Sequence, residues 1–162
     1  NNPSFEAEIV DSPFDWSVGR SRNATVETVA VPDAPDGQQV LQLEFLDARV
    51  ALGRIAQILV LGQGNYQLSG LFRGRLISKR GLRWRLTCKD RQRRLLGESE
   101  QIRGQVREWT PFVISFDVPS DATCTGQSLE LVHDARSASE QLISGTMSFD
   151  NIRIERVSAP TE

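Results

Sequence analysis

Residues 82–88, Leu-Arg-Trp-Arg-Leu-Thr-Cys, alternate apolar and polar side chains at every position. Successive side chains of a β-strand point to opposite faces of the sheet, so this alternation is typical of a strand with one buried face. The apolar members, with Trp84 at their centre, then face the core and the arginines face outward. The stretch therefore predicts a β-strand that covers one side of a hydrophobic core.

The same two-residue rhythm recurs along the chain, and helical periodicity is nearly absent. Further strands are predicted at residues 41–45, 55–61, 66–72, 112–118, 129–133 and 147–154. Turn-forming residues such as those at 32–37 and 62–65 separate these segments. Residues 89–107 are charged and less clear, and we expect a long hairpin there. Many short strands with such spacing predict an all-β sandwich or barrel.

The size and charge of the chain narrow the class of protein. Its 162 residues are enough for one domain with a sizeable core. The net charge of -2 does not favour nucleic acid as a partner. No apolar run reaches the roughly 18 residues of a membrane-spanning helix, so no direct membrane insertion is expected. We predict a single domain over residues 1–157 and a tail over residues 158–162.

Two cysteines, Cys88 and Cys124, allow at most one disulfide. A bridge between them would close a long loop and would suit an exported protein. Two unpaired buried thiols are the alternative, and the sequence leaves both open. A zinc site is not expected, because His133 is the only histidine that could complete one.

Several landmarks follow one another along almost the whole chain. They are residues 2–6 (Asn-Pro-Ser-Phe-Glu) with Trp16 after a short gap, residues 64–70 (Gly-Asn-Tyr-Gln-Leu-Ser-Gly) and residues 149–152 (Phe-Asp-Asn-Ile). In this order they resemble the galactose-binding-like carbohydrate-binding modules, especially the group containing families four, nine and twenty-two. The resemblance implies a jelly-roll β-sandwich of two antiparallel sheets, in which the opening and closing segments lie side by side.

The resemblance also implies a structural calcium ion held by the acidic side chains of the two terminal motifs, Glu6 and Asp150. Carboxylates and backbone carbonyls supply the oxygen ligands that calcium prefers. The alternative is that these side chains cap turns or pair with a base such as Arg153. Phe149 and Ile152 lie at positions of opposite parity, so burial of both requires a β-bulge near Asp150.

Glycan binding is the function that the resemblance implies, and sugar rings commonly stack on exposed aromatic side chains. Most aromatic residues of this chain, including Trp84, lie among apolar neighbours and are predicted to be core. Trp16 is the candidate for an exposed ring. A plug over one end of the sandwich is the alternative for Trp16.

Arginines are the second group of candidate ligand-binding residues. They occur at alternating positions of two strands that we predict to be adjacent, where they would form a basic stripe suited to carboxylates or sulfates. The residues of this stripe are Arg73, Arg75, Arg83 and Arg85. The alternative is a solvated outer face that is balanced by Glu98, Glu100 and Glu108.

No nucleophile elbow, phosphate loop or zinc-protease motif occurs in the sequence, and an isolated His133-Asp134 pair is more often structural. We therefore predict a binding module and no enzyme. The chain opens at Asn1, and we expect it to be one part of a larger exported protein that is periplasmic or secreted. The expected partners are a polysaccharide or oligosaccharide, in particular an anionic one, and other domains of the parent chain.

The alternative function is a structural or protein-interaction sandwich domain that has lost sugar binding. An exposed groove with at least one aromatic ring would favour the binding module. A flat or filled sheet face would favour the alternative.

Overall fold

A computed structural model of the chain describes residues 3–7, 9, 15–120 and 123–157. These residues form strands joined by turns and loops, and no helix occurs among them. The strands of this part are β1 (Trp16–Val18), β2 (Ala24–Ala30), β3 (Gln39–Arg49), β4 (Ile55–Leu59), β5 (Gly64–Ile77), β6 (Arg83–Cys88), β7 (Leu95–Glu98), β8 (Gly104–Val118), β9 (Gln127–Val132) and β10 (Leu142–Arg156). Asn2 and the tail predicted over residues 158–162 lie outside the described residues.

The described strands form two five-stranded sheets. The first sheet has the order β1-β4-β9-β6-β7 and the second has the order β2-β3-β10-β5-β8. The pairing is antiparallel throughout. Most neighbours within a sheet are distant in sequence because the chain crosses repeatedly between the two layers, as it does in a jelly roll. The predicted jelly-roll sandwich of two antiparallel sheets is confirmed.

The core lies between the two sheets and centres on Trp84 of β6, which is fully buried. Its indole meets Trp16 edge to face at 5.7 Å between centroids. It also stacks on Phe112 at 6.2 Å and meets Phe149 edge to face at 5.3 Å, and both phenylalanines belong to the second sheet. Large aromatic side chains bury the most apolar area per residue, so this cluster ties the two sheets together.

The opening and closing segments of the chain lie side by side, as predicted. The backbone N–H of Ile152 donates to the carbonyl of Pro3 at 2.9 Å. The predicted bulge is also present, because the pairing of β10 with β5 shifts register between Asp150 and Arg153. Asn151 has a φ of 54°, and this left-handed turn lets Phe149 and Ile152 both face the core.

The expected long hairpin over residues 89–107 is present only in its first part, since β6 pairs with β7 and the chain then crosses to the second sheet, where Gly104 begins β8. The structure also answers the question that the sequence left open about the two cysteines. Cys88 at the end of β6 forms a disulfide with Cys124, which lies just before β9. Both are nearly inaccessible, so the bridge is part of the core. The described residues contain no helix long and apolar enough to cross a membrane.

Candidate functional site

The four arginines of the predicted stripe lie in different sheets. Arg73 and Arg75 belong to β5 of the second sheet, whereas Arg83 and Arg85 belong to β6 of the first. These strands are consecutive in sequence, but the turn between them carries the chain from one layer of the sandwich to the other. The prediction of one continuous basic stripe is therefore wrong.

The two arginines of β6 are already neutralised by carboxylates. Arg83 donates to Glu98 at 2.8 Å, and Arg85 donates to the same carboxylate at 3.1 Å. Arg85 also donates to Asp134 at 3.1 Å, and this hydrogen bond to a cation lowers the pKa of the Asp134 carboxyl. For this pair the alternative interpretation, a face balanced by Glu98, is confirmed.

Arg73 is likewise paired, on the second sheet. Its guanidinium forms an ion pair with Asp33 and lies over the ring of Trp109, 4.5 Å from the centroid. The indole N–H of Trp109 donates to the Asp33 carbonyl at 3.1 Å. Arg75 is exposed and has no ion pair within the described part of the chain. The two predicted arginines on the first sheet are therefore both paired, and Arg75, which has no ion pair among the described residues, lies on the second sheet.

A groove with a volume of about 610 Å³ runs across the outer face of the first sheet. Strands β6 and β9, the turn that follows β6 and the residue that precedes β4 form its walls and floor. We call it the first-sheet groove. Its lining includes Arg54, Thr87, Lys89, Arg93, Ser128 and Glu130.

Three cations of the first-sheet groove are available to a ligand. Among the described residues, Arg54, Lys89 and Arg93 have no ion pair. Asp90, which also lines the groove, pairs instead with Arg94 at 2.8 Å. The hydrogen bond from that guanidinium lowers the pKa of the Asp90 carboxyl. The turn after β6 therefore presents uncompensated positive charge.

The floor of the first-sheet groove is polar. Thr87 and Ser128 are cross-strand partners on β6 and β9, and both face outward because their neighbours Leu86 and Leu129 face the core. Ser128 is only 7% exposed, yet its hydroxyl has no hydrogen-bond partner within the described residues. A buried hydroxyl without a partner costs free energy, but this oxygen is enclosed, so Thr87 is the residue of the pair that offers its hydroxyl to the groove.

No aromatic ring lines the first-sheet groove within the described residues. Trp16, the predicted stacking residue, is 1% exposed and packs against Phe5 at 5.4 Å between centroids. Its assignment as a ligand-binding residue is therefore wrong, and the plug interpretation agrees with its burial. Apolar contacts on both sides make this indole part of the core instead of a platform for sugar.

His133 lies outside the first-sheet groove and lines a separate cavity of about 340 Å³. Burial lowers the pKa of its imidazole, although the neighbouring Asp134 acts in the opposite direction. The Asp134 carboxylate is held by Arg85. It is therefore not positioned as an acid that orients the histidine.

A second polar cluster forms where the two ends of the chain meet on the second sheet. The turn between β2 and β3 lies over β10, where the backbone N–H of Asp36 donates to Asp150 Oδ2 at 3.0 Å. The Asp36 carboxylate accepts from Ser4 and from Arg153. Glu6 Oε1 accepts from two backbone N–H groups of the same turn, those of Gln38 and Gln39. The cluster therefore joins three distant segments of the chain.

Asp150 is the unusual member of this cluster. Its side chain is fully buried, and Oδ1 has no hydrogen-bond partner among the described residues. Burial raises the pKa of this carboxyl to about 6, and the nearby carboxylates of Asp36 and Glu6 add to the rise. Arg153 pairs with Asp36 and not with Asp150, so of the predicted alternative the ion pair is wrong, whereas the other half, turn capping, agrees with the hydrogen bonds that Asp150 and Glu6 accept from backbone N–H groups.

Comparison with known proteins found similar solved structures but no match by sequence. A scan against protein-family models found no match, and neither did a search of curated proteins. Among solved structures, a family 4 carbohydrate-binding module matches 97% of this chain and 99% of its own length, at 15% identity and a TM-score of 0.61. A family 22 xylan-binding domain of Paenibacillus barcinonensis matches 97% of this chain and 93% of its own, at 16% identity and a TM-score of 0.55.

This chain has the fold of a carbohydrate-binding module. The same fold also occurs in a Stig cyclase from Fischerella, which matches 97% of this chain and 96% of its own length at 14% identity and a TM-score of 0.57. The carbohydrate-binding-module fold thus carries both binding and catalysis, and the function has to be argued from the residues of each site.

Asp150 fits the calcium ion that the carbohydrate-binding-module resemblance implies, because a buried carboxylate oxygen without a partner is stabilised by a cation. Glu6 lies beside it, with Oε1 already bonded to the turn after β2. Within the described ranges no cluster of three His, Cys, Asp or Glu side chains able to hold a metal occurs. Backbone carbonyls and water would therefore complete the coordination.

Sequence reasoning missed the residues that give the first-sheet groove its charge, namely Arg54, Lys89 and Arg93. Arg54 precedes a strand and Arg93 lies in a charged turn, so neither belongs to the alternating pattern, whereas Lys89 continues the outward face of β6 but was not singled out as a ligand-binding residue. The available signal was the density of basic residues at 89–94 beside Cys88. The cross-strand register was needed to place Arg54 on the same groove, at the end opposite to the other two.

Proposed function

We propose that this domain is a non-catalytic module that binds an anionic glycan in the first-sheet groove. The observation that carries the proposal is the set of three cations, Arg54, Lys89 and Arg93, that have no ion pair with any described residue and surround one polar groove. Guanidinium and ammonium groups form charge-assisted hydrogen bonds with carboxylates and sulfates. The hydroxyl of Thr87, which lines the groove, is available to the neutral hydroxyls of sugar units.

Replacing the three groove cations, Arg54, Lys89 and Arg93, with serine should weaken binding of a uronic-acid polysaccharide about tenfold, because each exposed charge pair is worth about 0.5 kcal/mol. Affinity electrophoresis of the wild-type and triple-variant domains against neutral and uronic-acid polysaccharides measures the effect. Retardation by the uronic-acid polysaccharide should also decrease with added salt, since salt screens exposed charges.

The matched control removes three exposed cations of the second sheet, Arg49, Arg75 and Arg107. It changes the net charge by the same amount and leaves the groove intact, so it should bind like the wild-type protein. If both triple variants lost the same amount of polysaccharide binding, net charge alone would explain the effect and the groove would not be the binding site. No retardation of the wild-type domain by any polysaccharide would overturn the proposal.

The second candidate function is a protein-interaction domain, and an apolar surface on the second sheet favours it. Leu46, Ile77 and Leu142 are about half exposed, and Ser144 pairs with both Leu46 and Ile77. The described residues that line the groove also include no aromatic ring of the kind that is typical of neutral glycan sites. If no polysaccharide binds, the protein-interaction domain is the function that the structure supports better.

We propose further that Glu6 and Asp150 hold a structural calcium ion and that the domain belongs to an exported, extracytoplasmic protein. The unpartnered Oδ1 of Asp150 supports the first statement. The disulfide between Cys88 and Cys124 supports the second, because disulfides persist in oxidising compartments.

Calcium should raise the melting temperature of the wild-type domain, and a chelator should lower it again. A ligand that binds only the folded state stabilises it by about 2.7 kcal/mol at a concentration one hundred times its Kd. Asp150→Asn should abolish the response, and Glu6→Gln should reduce it. Differential scanning calorimetry at pH 7 measures the shift, and an unchanged wild-type melting curve would remove both residues from the list of metal ligands.

A further inference from the structure

The positive charge of the first-sheet groove lies at its two ends. Ile55 pairs with Leu131, so the preceding residue, Arg54, lies beside Val132 at one end of β9. At the other end the backbone N–H of Lys89 donates to the carbonyl of Gly126 at 2.8 Å. A strand rises about 3.3 Å per residue, and the two ends are therefore about 20 Å apart along β9.

A carboxylate lies between these two ends. Glu130 of β9 lines the groove and is the cross-strand partner of Arg85. The Arg85 guanidinium, however, is engaged by Glu98 and Asp134, which lie on other segments. Within the part of the chain that the structure describes, Glu130 has no ion pair of its own. The middle of the groove is therefore acidic while its ends are basic.

The groups next to Glu130 favour a neutral sugar unit at this position. Thr87 of β6 is diagonal to Glu130 across the two strands, because it pairs with Ser128, and its partly exposed side chain lines the groove. A carboxylate accepts hydrogen bonds and a threonine hydroxyl both donates and accepts, so sugar hydroxyls can bond to the two groups. A second carboxylate placed here would be repelled by Glu130.

We propose that the groove selects glycans whose acidic groups are separated by neutral sugars, and that Glu130 discriminates against chains with an acid on every sugar. This inference rests on the proposed glycan binding in the first-sheet groove. Arg54 at one end and the Lys89 and Arg93 pair at the other bind the separated acids. Glu130 supplies the repulsive element that a specific site requires.

Two polysaccharide probes test this selection. Deacylated gellan has one uronate in each oligosaccharide repeat, whereas polygalacturonate has one on every sugar. We expect wild-type protein to bind gellan more tightly at equal uronate concentration, as measured by affinity electrophoresis. Glu130→Gln should strengthen binding of polygalacturonate about threefold, the scale of one half-exposed charge interaction, and should leave gellan binding nearly unchanged.

The matched control is Glu44→Gln, which removes an exposed carboxylate of β3 on the second sheet. It changes the net charge equally and should not alter the ratio of the two affinities. Equal binding of both probes by the wild-type domain, or the same response to both glutamine variants, would overturn the inference and leave the proposed function standing. No binding of any neutral or acidic polysaccharide would overturn the proposed function and this inference with it.

Discussion

Replacing Cys88 and Cys124 together with alanine should lower the free energy of unfolding by about 4 kcal/mol. The bridge spans 36 residues, and a cross-link of that length removes much of the conformational freedom of the unfolded chain. It connects the end of β6 to the segment that leads into β9, two adjacent strands of the first sheet. Alanine is preferred to serine because both positions are buried and a hydroxyl there would need a partner.

Urea denaturation followed by tryptophan fluorescence measures this loss, since Trp84 lies in the core. Wild-type protein unfolded in a strong reductant is the control, because its unfolded chain is also free of the cross-link. The two should lose similar free energies. A double variant with an unchanged urea midpoint would show that the bridge contributes nothing to stability.

Asp150→Asn should make the domain less sensitive to pH between about 4 and 6 when calcium is absent. The folded carboxyl has its pKa raised to about 6 by burial, whereas an unperturbed aspartate titrates near 3.8. Between these values the folded state therefore binds more protons than the unfolded state. The stability that Asp150 contributes is fully present below pH 3.8, decreases as the pH rises and is lost above pH 6.

The size of this effect follows from the pKa difference of about two units, which corresponds to about 3 kcal/mol. Other aspartates have lowered pKa values and act with the opposite sign: Asp33, Asp36, Asp90 and Asp134. They are present in both proteins, so the difference between wild type and variant isolates Asp150. Urea midpoints at a series of pH values in chelator give that difference, and parallel curves for the two proteins would contradict the assignment.

The alternation of side chains was a good guide to strands with one strongly apolar face. The strands that it missed carry little of that signal, because β1 and β7 are short and β2 is an edge strand of small and β-branched residues. Parity also predicted the bulge near Asp150, since burial of both Phe149 and Ile152 left no regular alternative.

The prediction of one arginine stripe was wrong for a different physical reason. Period-two alternation tells whether Arg73 or Arg83 faces the core or the solvent, and both do face outward as predicted. It does not tell which sheet a strand joins, because a short turn can lead either to a hairpin or across the sandwich. Trp16 failed for a related reason, since its exposure depended on whether distant residues such as Phe5 and Trp84 packed around it.

The sequence by itself determined the all-β class, the inward faces of the main strands and the bulge at Asp150, because these follow from local alternation. The meeting of the opening and closing segments was implied by the family resemblance. Only the tertiary structure decided the pairing of Cys88 with Cys124, the sheet that each strand joins and the first-sheet groove. The groove unites Arg54, Lys89 and Glu130 through the pairing of β4, β6 and β9. Such long-range pairing depends on how all the strands pack together, and no single segment encodes it.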